Sequence, residues 1–295
     1  MSVSNLVPRI SKLEVTSSGD NAKLIALWLH NKARTTQATY RRDIAWFLAF
    51  VDERSLHLMT LEDLHAFHQA LMDQGLVYNT QRRRLMAVKS LLSFGHRVGA
   101  ISVDCGKPFE LKAATQTLHA RIMSEADTLR MIHGFQGQPR DALILLTLYA
   151  TGARASEVCS MSWGHWVEQD NGNAIVAITG KGDKTRYVVV PASVWTQLKQ
   201  YRAEATDAAP VFPSRTGRHL VRSQINRIVT DAKQQAGIDK AVSPHWFRHA
   251  HASHALHRGA SIGLVKETLG HASLDTTAAY LHVSPDESSG LHLGL

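Results

Sequence analysis

The chain has 295 residues, of which 44% are hydrophobic and 20% are charged. These values argue against intrinsic disorder, and the length is typical of two domains. The net charge of +8 and the isoelectric point of about 9.6 favour a polyanionic partner. Two cysteines cannot build a disulfide framework, and neither a signal peptide nor an apolar run of roughly 20 residues is visible. We therefore expect a cytoplasmic protein that does not use a membrane.

The first part of the chain is predicted to be a flexible arm, 1–18, followed by a helical bundle, 19–105. The arm lacks hydrophobic periodicity, whereas the bundle shows four segments with apolar residues at helical spacing. Thr60 and Asp63 have the spacing of a capping box at the start of the third helix, and Asn79 is predicted to cap the fourth. The connections between the segments are short, which is typical of a compact bundle.

Basic residues interrupt two of these helical patterns. Arg41 and Arg42 lie in the second helix, and Arg82, Arg83 and Arg84 lie in the fourth. Side chains of this type contact DNA phosphates or enter a major groove. A solvated helix face explains the same residues almost as well, so their role in DNA binding is left as a hypothesis.

Periodicity fails after the bundle, and residues 106–120 are predicted to be a linker between two domains. The second domain, 121–295, has further helical segments and two short runs with strand composition, 174–178 and 187–190. A glycine-containing turn between these runs predicts a hairpin. The expected fold is mainly α with a small antiparallel sheet, an α+β arrangement.

The most specific segment of the sequence is 243–280. His245 and Arg248 are three residues apart and share one helix face. His271 follows a Leu-Gly pair, and Tyr280 lies nine residues further on. Two imidazoles and a guanidinium near a phenol suit chemistry at a phosphate, where donors surround oxygens and a nucleophile attacks phosphorus.

Two upstream motifs complete this set. Arg154 follows a glycine after the apolar run 142–149, and Lys181 lies in a Gly-Lys-Gly turn between the two predicted strands. With these motifs the chain resembles the tyrosine recombinases, also called the phage integrase family. The resemblance is carried by six positions in order: Arg154, Lys181, His245, Arg248, His271 and Tyr280. It is detailed from about residue 120 onwards and is a matter of pattern before that, with a layout similar to the compact Xer-like recombinases.

The resemblance implies a helical core-binding domain followed by a catalytic domain, with Tyr280 as the nucleophile. Lys181 would be the general acid that protonates the departing 5′ oxygen. Lys184 and Arg186 compete for that position, and either of them would otherwise bind flanking DNA phosphates. A phenol has a pKa near 10, so its attack requires a base or a cationic pocket.

Four further residues would surround the phosphate. Arg154 and Arg248 would grip its nonbridging oxygens, since a guanidinium donates two parallel bonds and remains charged. His245 would accept or shuttle the tyrosine proton, and His271 would donate to a phosphate oxygen. Glu157, three residues after Arg154, either orients a catalytic arginine or histidine or forms an ordinary cap or salt bridge.

A metal site is the alternative reading of the histidine-rich stretch. Five histidines occupy positions 245, 249, 251, 254 and 257. His245 and His249 have helical spacing, but Trp246 stands where the zinc motif has glutamate, and no acidic residue occurs between the first and last of them. We expect neither a metal nor another cofactor.

These observations predict a site-specific DNA recombinase that works through a 3′-phosphotyrosyl intermediate on double-stranded DNA. The resemblance implies a homotetramer on two DNA sites, or an assembly shared with a paralogue. The alternatives are a type IB topoisomerase-like strand transferase, a non-catalytic DNA-binding protein on the same fold, and a metallohydrolase. The target sequence, and the choice between integration or excision and chromosome dimer resolution, are left open.

Overall fold

The computed structural model describes residues 17–111, 122–180, 182–271 and 277. The chain divides into two compact units, Met1–Thr115 and Gln116–Leu295. The described residues are mainly helical, with one three-stranded antiparallel sheet. The predicted fold class is therefore confirmed. Among the described residues, no helix is both long and apolar enough to cross a membrane.

The described part of the first unit, residues 17–111, contains four α-helices. They are α1 (Ser17–Leu29), α2 (Arg34–Phe50), α3 (Leu61–Asp73) and α4 (Tyr78–Arg97). Thr60 opens α3 with the predicted capping box, in which its hydroxyl accepts from the Asp63 N–H and the carboxylate accepts in return. The predicted cap at Asn79 is wrong, because α4 begins one residue earlier and its N-cap position is Val77.

The core of the first unit extends beyond the predicted bundle. Leu85, Val88 and Leu91 of α4 are fully buried, as their spacing predicts. Phe109 is also only 1% exposed, and the Lys89 ammonium donates to its carbonyl. The linker prediction is thus wrong at its start, because an aromatic side chain there is held in the core. The predicted arm lies outside the described residues, apart from its last two, which begin α1.

Within residues 122–271 of the second unit, the structure shows seven α-helices and the sheet. The helices are α5 (Glu125–His133), α6 (Pro139–Thr151), α7 (Ala155–Cys159), α8 (Ala192–Arg202), α9 (Arg222–Gln235), α10 (Pro244–His257) and α11 (Ile262–Leu269). The strands are β1 (Trp166–Glu168), β2 (Ala174–Thr179) and β3 (Thr185–Val190), with β2 in the centre. The β2–β3 hairpin has Thr179 opposite Thr185. The predicted hairpin is confirmed, and β1 is an additional strand.

The helix ends of the second unit follow ordinary capping chemistry. Ser124 caps α5 by accepting from the Asp127 N–H, and Ser261 caps α11 by accepting from the Leu264 N–H. Gly270 ends α11 in the left-handed conformation, with φ of 64°. The two serines fix where α5 and α11 begin, and Gly270 fixes where the chain leaves α11 just before His271.

Helix α6 is the buried centre of the second unit and packs against α5, α7, α8, α9, α10 and β3. Its residues Ile144, Leu145 and Leu148 are fully buried. The helix ends at Gly152, whose φ is 59°. A Cβ atom there would lie 2.5 Å from Leu269 Cδ2, so only glycine lets the end of α6 approach the end of α11 this closely.

Candidate active site

The turn from α6 to α7 positions Arg154. This residue is the N-cap of α7, and its backbone N–H donates to Glu157 Oε2 at 2.8 Å. Its guanidinium Nη1 donates to Glu157 Oε1 at 2.7 Å. The Arg154 side chain is 38% exposed while that of Glu157 is 3% exposed. One buried carboxylate therefore fixes both the backbone and the side chain of a partly exposed arginine.

Glu157 is held as a carboxylate by its partners. Burial alone would raise its pKa, but hydrogen bonds and charge from Arg186 and Arg154 outweigh burial and lower the pKa below the ordinary value. The sequence left open whether Glu157 caps a helix or orients an arginine. Its carboxylate does both. The carboxylate is thus charged throughout the neutral pH range.

Arg186, on β3, is the second partner of Glu157. Its Nη2 donates to Glu157 Oε2 at 2.7 Å and its Nη1 donates to Oε1 at 3.2 Å. Its Nε donates to the Thr268 carbonyl, in the last turn of α11, at 2.7 Å. The side chain is 11% exposed. This geometry differs from the sequence hypothesis of a phosphate contact, because the guanidinium points into the protein.

Arg248, on α10, joins two segments of the site. It is 1% exposed, and its Nη1 donates to the Gly152 carbonyl at 2.8 Å. Its Nη2 donates to the Leu269 carbonyl. These carbonyls lie two residues before Arg154 and two residues before His271, respectively. The buried guanidinium thereby fixes the distance between the loops that carry the other two side chains.

His271 follows the left-handed cap of α11 and is half-buried. Its Nδ1 lies 2.9 Å from the hydroxyl of Thr277. Burial, and then the positive charges of Arg248 and Arg154, lower its pKa to about 4. The imidazole is therefore neutral at pH 7. The charges that lower this pKa come from predicted residues of two other segments, Arg248 on α10 and Arg154 at the start of α7.

His245 and Arg154 line the same cleft, which has a volume of about 340 Å³. His245 is exposed in the first turn of α10, and its ring centroid lies 4.3 Å from that of His249. The same cleft is also lined by Arg222, Asn226 and Thr230 of α9. The sequence analysis missed these three residues. Their spacing of four residues, opposite the buried Ile225, Ile228, Val229 and Ala232 of α9, was the available signal.

Two predicted catalytic residues, Lys181 and Tyr280, lie outside the described residues. Gly180, just before Lys181, closes the hairpin by donating its N–H to the Lys184 carbonyl. Thr277, three residues before Tyr280, is fully buried beside His271. Lys184 itself is exposed.

The predicted DNA-binding residues of the first unit differ in solvent exposure. Arg41, Arg42, Arg82 and Arg83 are exposed. Arg84 is 8% exposed and its guanidinium lies over the Trp46 ring, 4.1 Å from the centroid. The prediction of a DNA contact is therefore corrected for Arg84, because its charged group is enclosed by an aromatic ring and a neighbouring carboxylate.

The histidine-rich helix does not gather metal ligands in the described part of the chain. No group of three or more histidine, cysteine, aspartate or glutamate side chains is suitably placed there. His251 Nδ1 lies 2.8 Å from the Tyr149 carbonyl, and His254 contacts the Tyr149 hydroxyl and the Met123 carbonyl. These imidazoles connect α10 to its neighbours.

Comparison with known proteins gives a consistent assignment. Residues 115–287 match the model of the phage integrase family, and residues 24–94 match that of the phage integrase N-terminal SAM-like domain. Tyrosine recombinase XerD of Pseudomonas putida is 32% identical over 284 residues, covering 91% of this chain and 94% of its own. Tyrosine recombinase XerC of Corynebacterium efficiens is 32% identical over 264 residues, covering 86% and 82%.

A solved structure shows the same fold. It is that of the XerH site-specific recombinase bound to its difH substrate, and it aligns with a TM-score of 0.71 at 21% identity. The alignment covers 94% of this chain and 83% of the other. The resemblance therefore extends over both units and not only over the motifs of the second.

Proposed function

We propose that this chain, which belongs to the phage integrase family and is a tyrosine site-specific recombinase, cuts and rejoins double-stranded DNA through a covalent bond to Tyr280. The observation that carries the proposal is the double hydrogen bond of Arg248 to the Gly152 and Leu269 carbonyls. Because of this bridge, Arg154 and His271 belong to one site with a strongly cationic character, which suits a phosphate.

In the first step, the Tyr280 oxygen attacks the phosphorus of a DNA phosphodiester. The new bond joins the phenol oxygen to the 3′ phosphate, and the bond from phosphorus to the 5′ oxygen breaks. The phenol proton passes to His245, and Lys181 gives a proton to the departing 5′ oxygen, which leaves as a hydroxyl. Arg154 donates to the phosphate oxygens and stabilises their extra charge in the transition state, and the buried positive charge of Arg248 adds to this stabilisation.

In the second step, a 5′ hydroxyl of another DNA strand attacks the same phosphorus and gives its proton to Lys181. The phosphotyrosyl bond breaks, the phenol recovers its proton from His245, and a new phosphodiester forms. The phosphodiester energy is kept in the protein–DNA bond, so the exchange needs no nucleotide hydrolysis. We extend the proposal to a homotetramer that holds two DNA sites, since exchange between duplexes needs two cleaved strands from each.

The experiment starts by enriching duplexes of random sequence on the Tyr280→Phe variant. This variant should bind DNA but form no bond to it. The enriched sequence is then remade as a set of duplexes, each with one nick at a different position. Cleavage next to a nick releases a short fragment, so the adduct is trapped. The wild type should form an adduct that resists denaturing electrophoresis, and Tyr280→Phe should form none.

An undiminished adduct with Tyr280→Phe would remove Tyr280 from its role. Relaxation of a supercoiled plasmid without exchange between two copies of the enriched site would instead support the topoisomerase alternative. The genomic position of the enriched sequence, at a mobile-element boundary or elsewhere in the chromosome, separates integration or excision from chromosome dimer resolution.

Lys181 has its own test on the same DNA. Replacing the 5′ oxygen at the mapped cleavage position by sulfur gives a leaving group that needs no proton. Lys181→Ala should therefore slow cleavage of the normal duplex by about 10²- to 10⁴-fold and that of the sulfur duplex far less. Lys184→Ala is the matched variant from the same hairpin and should not distinguish the two duplexes. Equal slowing of both duplexes by Lys181→Ala would contradict the general-acid role.

A further inference from the structure

We infer that Arg186 is a positioning residue for the recombination site, which sets the arrangement of Glu157 and, through it, of Arg154. The inference rests on the proposed function and names a residue that this function does not otherwise use. It replaces the hypothesis, made from the sequence, that Arg186 contacts a DNA phosphate.

The contacts of Arg186 reach two separate parts of the site. Its two terminal nitrogens donate to both oxygens of Glu157, at 2.7 and 3.2 Å, while its Nε donates to the Thr268 carbonyl at 2.7 Å. Glu157 in turn holds the backbone and guanidinium of Arg154. Thr268 lies three residues before His271. One guanidinium therefore connects the loop that carries Arg154 to the end of α11.

Two glycines make room for this guanidinium. A Cβ atom on Gly180 would lie 3.1 Å from Glu157 Oε1 and 3.5 Å from Arg186 Nη1. A Cβ atom on Gly270 would lie 3.1 Å from Arg186 Cδ. Gly180 precedes Lys181 and Gly270 precedes His271. The chain segments that carry these two site residues are thus packed directly on the Arg186 network.

The orientation of Arg186 excludes a simple surface role. The side chain is 11% exposed, and its partners are a buried carboxylate and a backbone carbonyl. Removing Arg186 would leave Arg154 as the remaining charged partner of the buried Glu157 carboxylate. Arg154 would then be drawn towards Glu157 to compensate that charge, and less of its guanidinium would be offered to a phosphate.

The kinetic experiment compares Arg186→Gln with Arg202→Gln. Arg202 is a matched control, because it also donates Nε to a backbone carbonyl and Nη2 to a carboxylate, Asp207, but away from the site. Adduct formation is measured on the nicked, enriched duplex at saturating protein, together with the dissociation constant at several salt concentrations. Arg186→Gln should slow cleavage on the order of 10- to 100-fold with unchanged affinity and salt dependence. Arg202→Gln should change neither.

Arg186→Lys serves where Arg186→Gln folds poorly. It keeps the positive charge, but a single ammonium cannot span Thr268 and both oxygens of Glu157, so cleavage should be slowed to an intermediate extent. A weaker affinity with a salt slope reduced by about one, and normal cleavage at saturation, would show a phosphate contact and overturn the inference.

A pH profile separates positioning from a general loss of stability. Among the described residues, the charged groups that face Glu157 are Arg154 and Arg186, which lower its pKa below the ordinary value. Without Arg186 the pKa of Glu157 rises, so the acid limb of the cleavage profile should move to higher pH. Arg202→Gln should leave the limb in place. In a double-mutant cycle with Glu157→Gln, the two losses in rate should be clearly less than additive, and full additivity would contradict action through Glu157.

A measurement on the DNA-free protein keeps this inference separate from the proposed function. The side-chain Nε–H resonance of Arg154 is followed by NMR in the wild type, Arg186→Gln and Arg202→Gln. Arg186→Gln alone should shift or broaden that resonance. An unchanged resonance would overturn the inference. Absence of any adduct with wild-type protein would instead count against the proposed function, while the Arg154 resonance still decides the role of Arg186.

Discussion

The arginines of the two units differ in what surrounds them. In the second unit, carbonyls or a carboxylate hold the guanidiniums of Arg248, which is buried, of Arg186, which is 11% exposed, and of Arg154, which is 38% exposed. In the first unit, Arg41, Arg42 and Arg82 are exposed on helix surfaces. The arginines held in this way have fixed geometry, which a reacting phosphate needs, whereas the exposed arginines of the first unit suit contacts that only have to hold the DNA backbone.

The first unit also contains an arginine, Arg84, that is buried beside a carboxylate. Asp43 is 1% exposed and pairs with the exposed Arg83, while Arg84 Nε lies 4.0 Å from its other oxygen. Burial lowers the pKa of Arg84, and the Asp43 charge opposes that effect. Arg84 thus supplies counter-charge inside the bundle, and Arg83 is the member of the trio that faces solvent.

The largest expected difference between the two sets of arginines is catalytic. Arg154→Ala should lower the rate of adduct formation at saturating DNA by about 10²- to 10³-fold, because it removes a preorganised donor from the charged transition state. Arg82→Ala should weaken binding and leave that rate unchanged. Single-turnover cleavage of the nicked, enriched duplex measures both. Equal losses of rate in the two variants would contradict the division between fixed and exposed arginines.

The next difference is in stability. Arg248→Met leaves the Gly152 and Leu269 carbonyls without this donor, which should cost on the order of 3 kcal/mol in the free energy of unfolding. Arg41→Ala should change it by less than about 0.5 kcal/mol. Urea denaturation of the full chain gives both values. A stable Arg248→Met protein would show that the bridge does not hold the two loops together.

Salt dependence distinguishes Arg83 from Arg84. Arg83→Ala should reduce the slope of log affinity against log salt by about one, which is the change expected for the loss of a single phosphate contact. Arg84→Met should leave the slope unchanged, because its guanidinium is enclosed between Trp46 and Asp43. Titration of the enriched duplex at four salt concentrations measures this. A reduced slope in Arg84→Met alone would reverse the assignment.

The smallest expected effect is a change in the pKa of His271. In the free protein, burial and the cations around it lower that pKa to about 4, so the ring is neutral at pH 7. A bound phosphate adds negative charge next to the ring and should raise the pKa towards the ordinary value. NMR titration of the Tyr280→Phe variant, with and without the enriched duplex, follows this residue. A pKa that stays near 4 would place the phosphate elsewhere.

Sequence patterns predicted the parts of the fold that local chemistry determines. Thr60 and Asp63 mark the start of α3, because each side chain accepts from a backbone N–H that the helix leaves unpaired. The short strand β1 had no such signal, because its three residues are too few to show alternation. Its existence depends on pairing with β2, which is a tertiary contact.

For two arginines, the hydrophobic periodicity of the element indicates a buried side chain, whereas the residue type alone suggested an exposed one. Arg84 lies four residues before Val88 and seven before Leu91, on the buried stripe of α4. Arg186 lies two and four residues before the buried Val188 and Val190. All three are on the same face of β3, so the strand turns Arg186 towards the interior. Both were interpreted as DNA contacts because they are arginines in basic segments. By contrast, no pattern in the sequence indicates that Arg248 bridges two carbonyls, since that requires α6 and α11 to meet.

The most direct test of the account is to identify the residue that is bonded to DNA. The trapped adduct is digested with nuclease and trypsin, and the nucleotide-bearing peptide is sequenced by mass spectrometry. The peptide that follows Lys266 contains Tyr280 as its single tyrosine among the six of the chain. We predict a 3′-nucleotide on that tyrosine. A nucleotide on another tyrosine, or on a serine, threonine or histidine, would contradict the account.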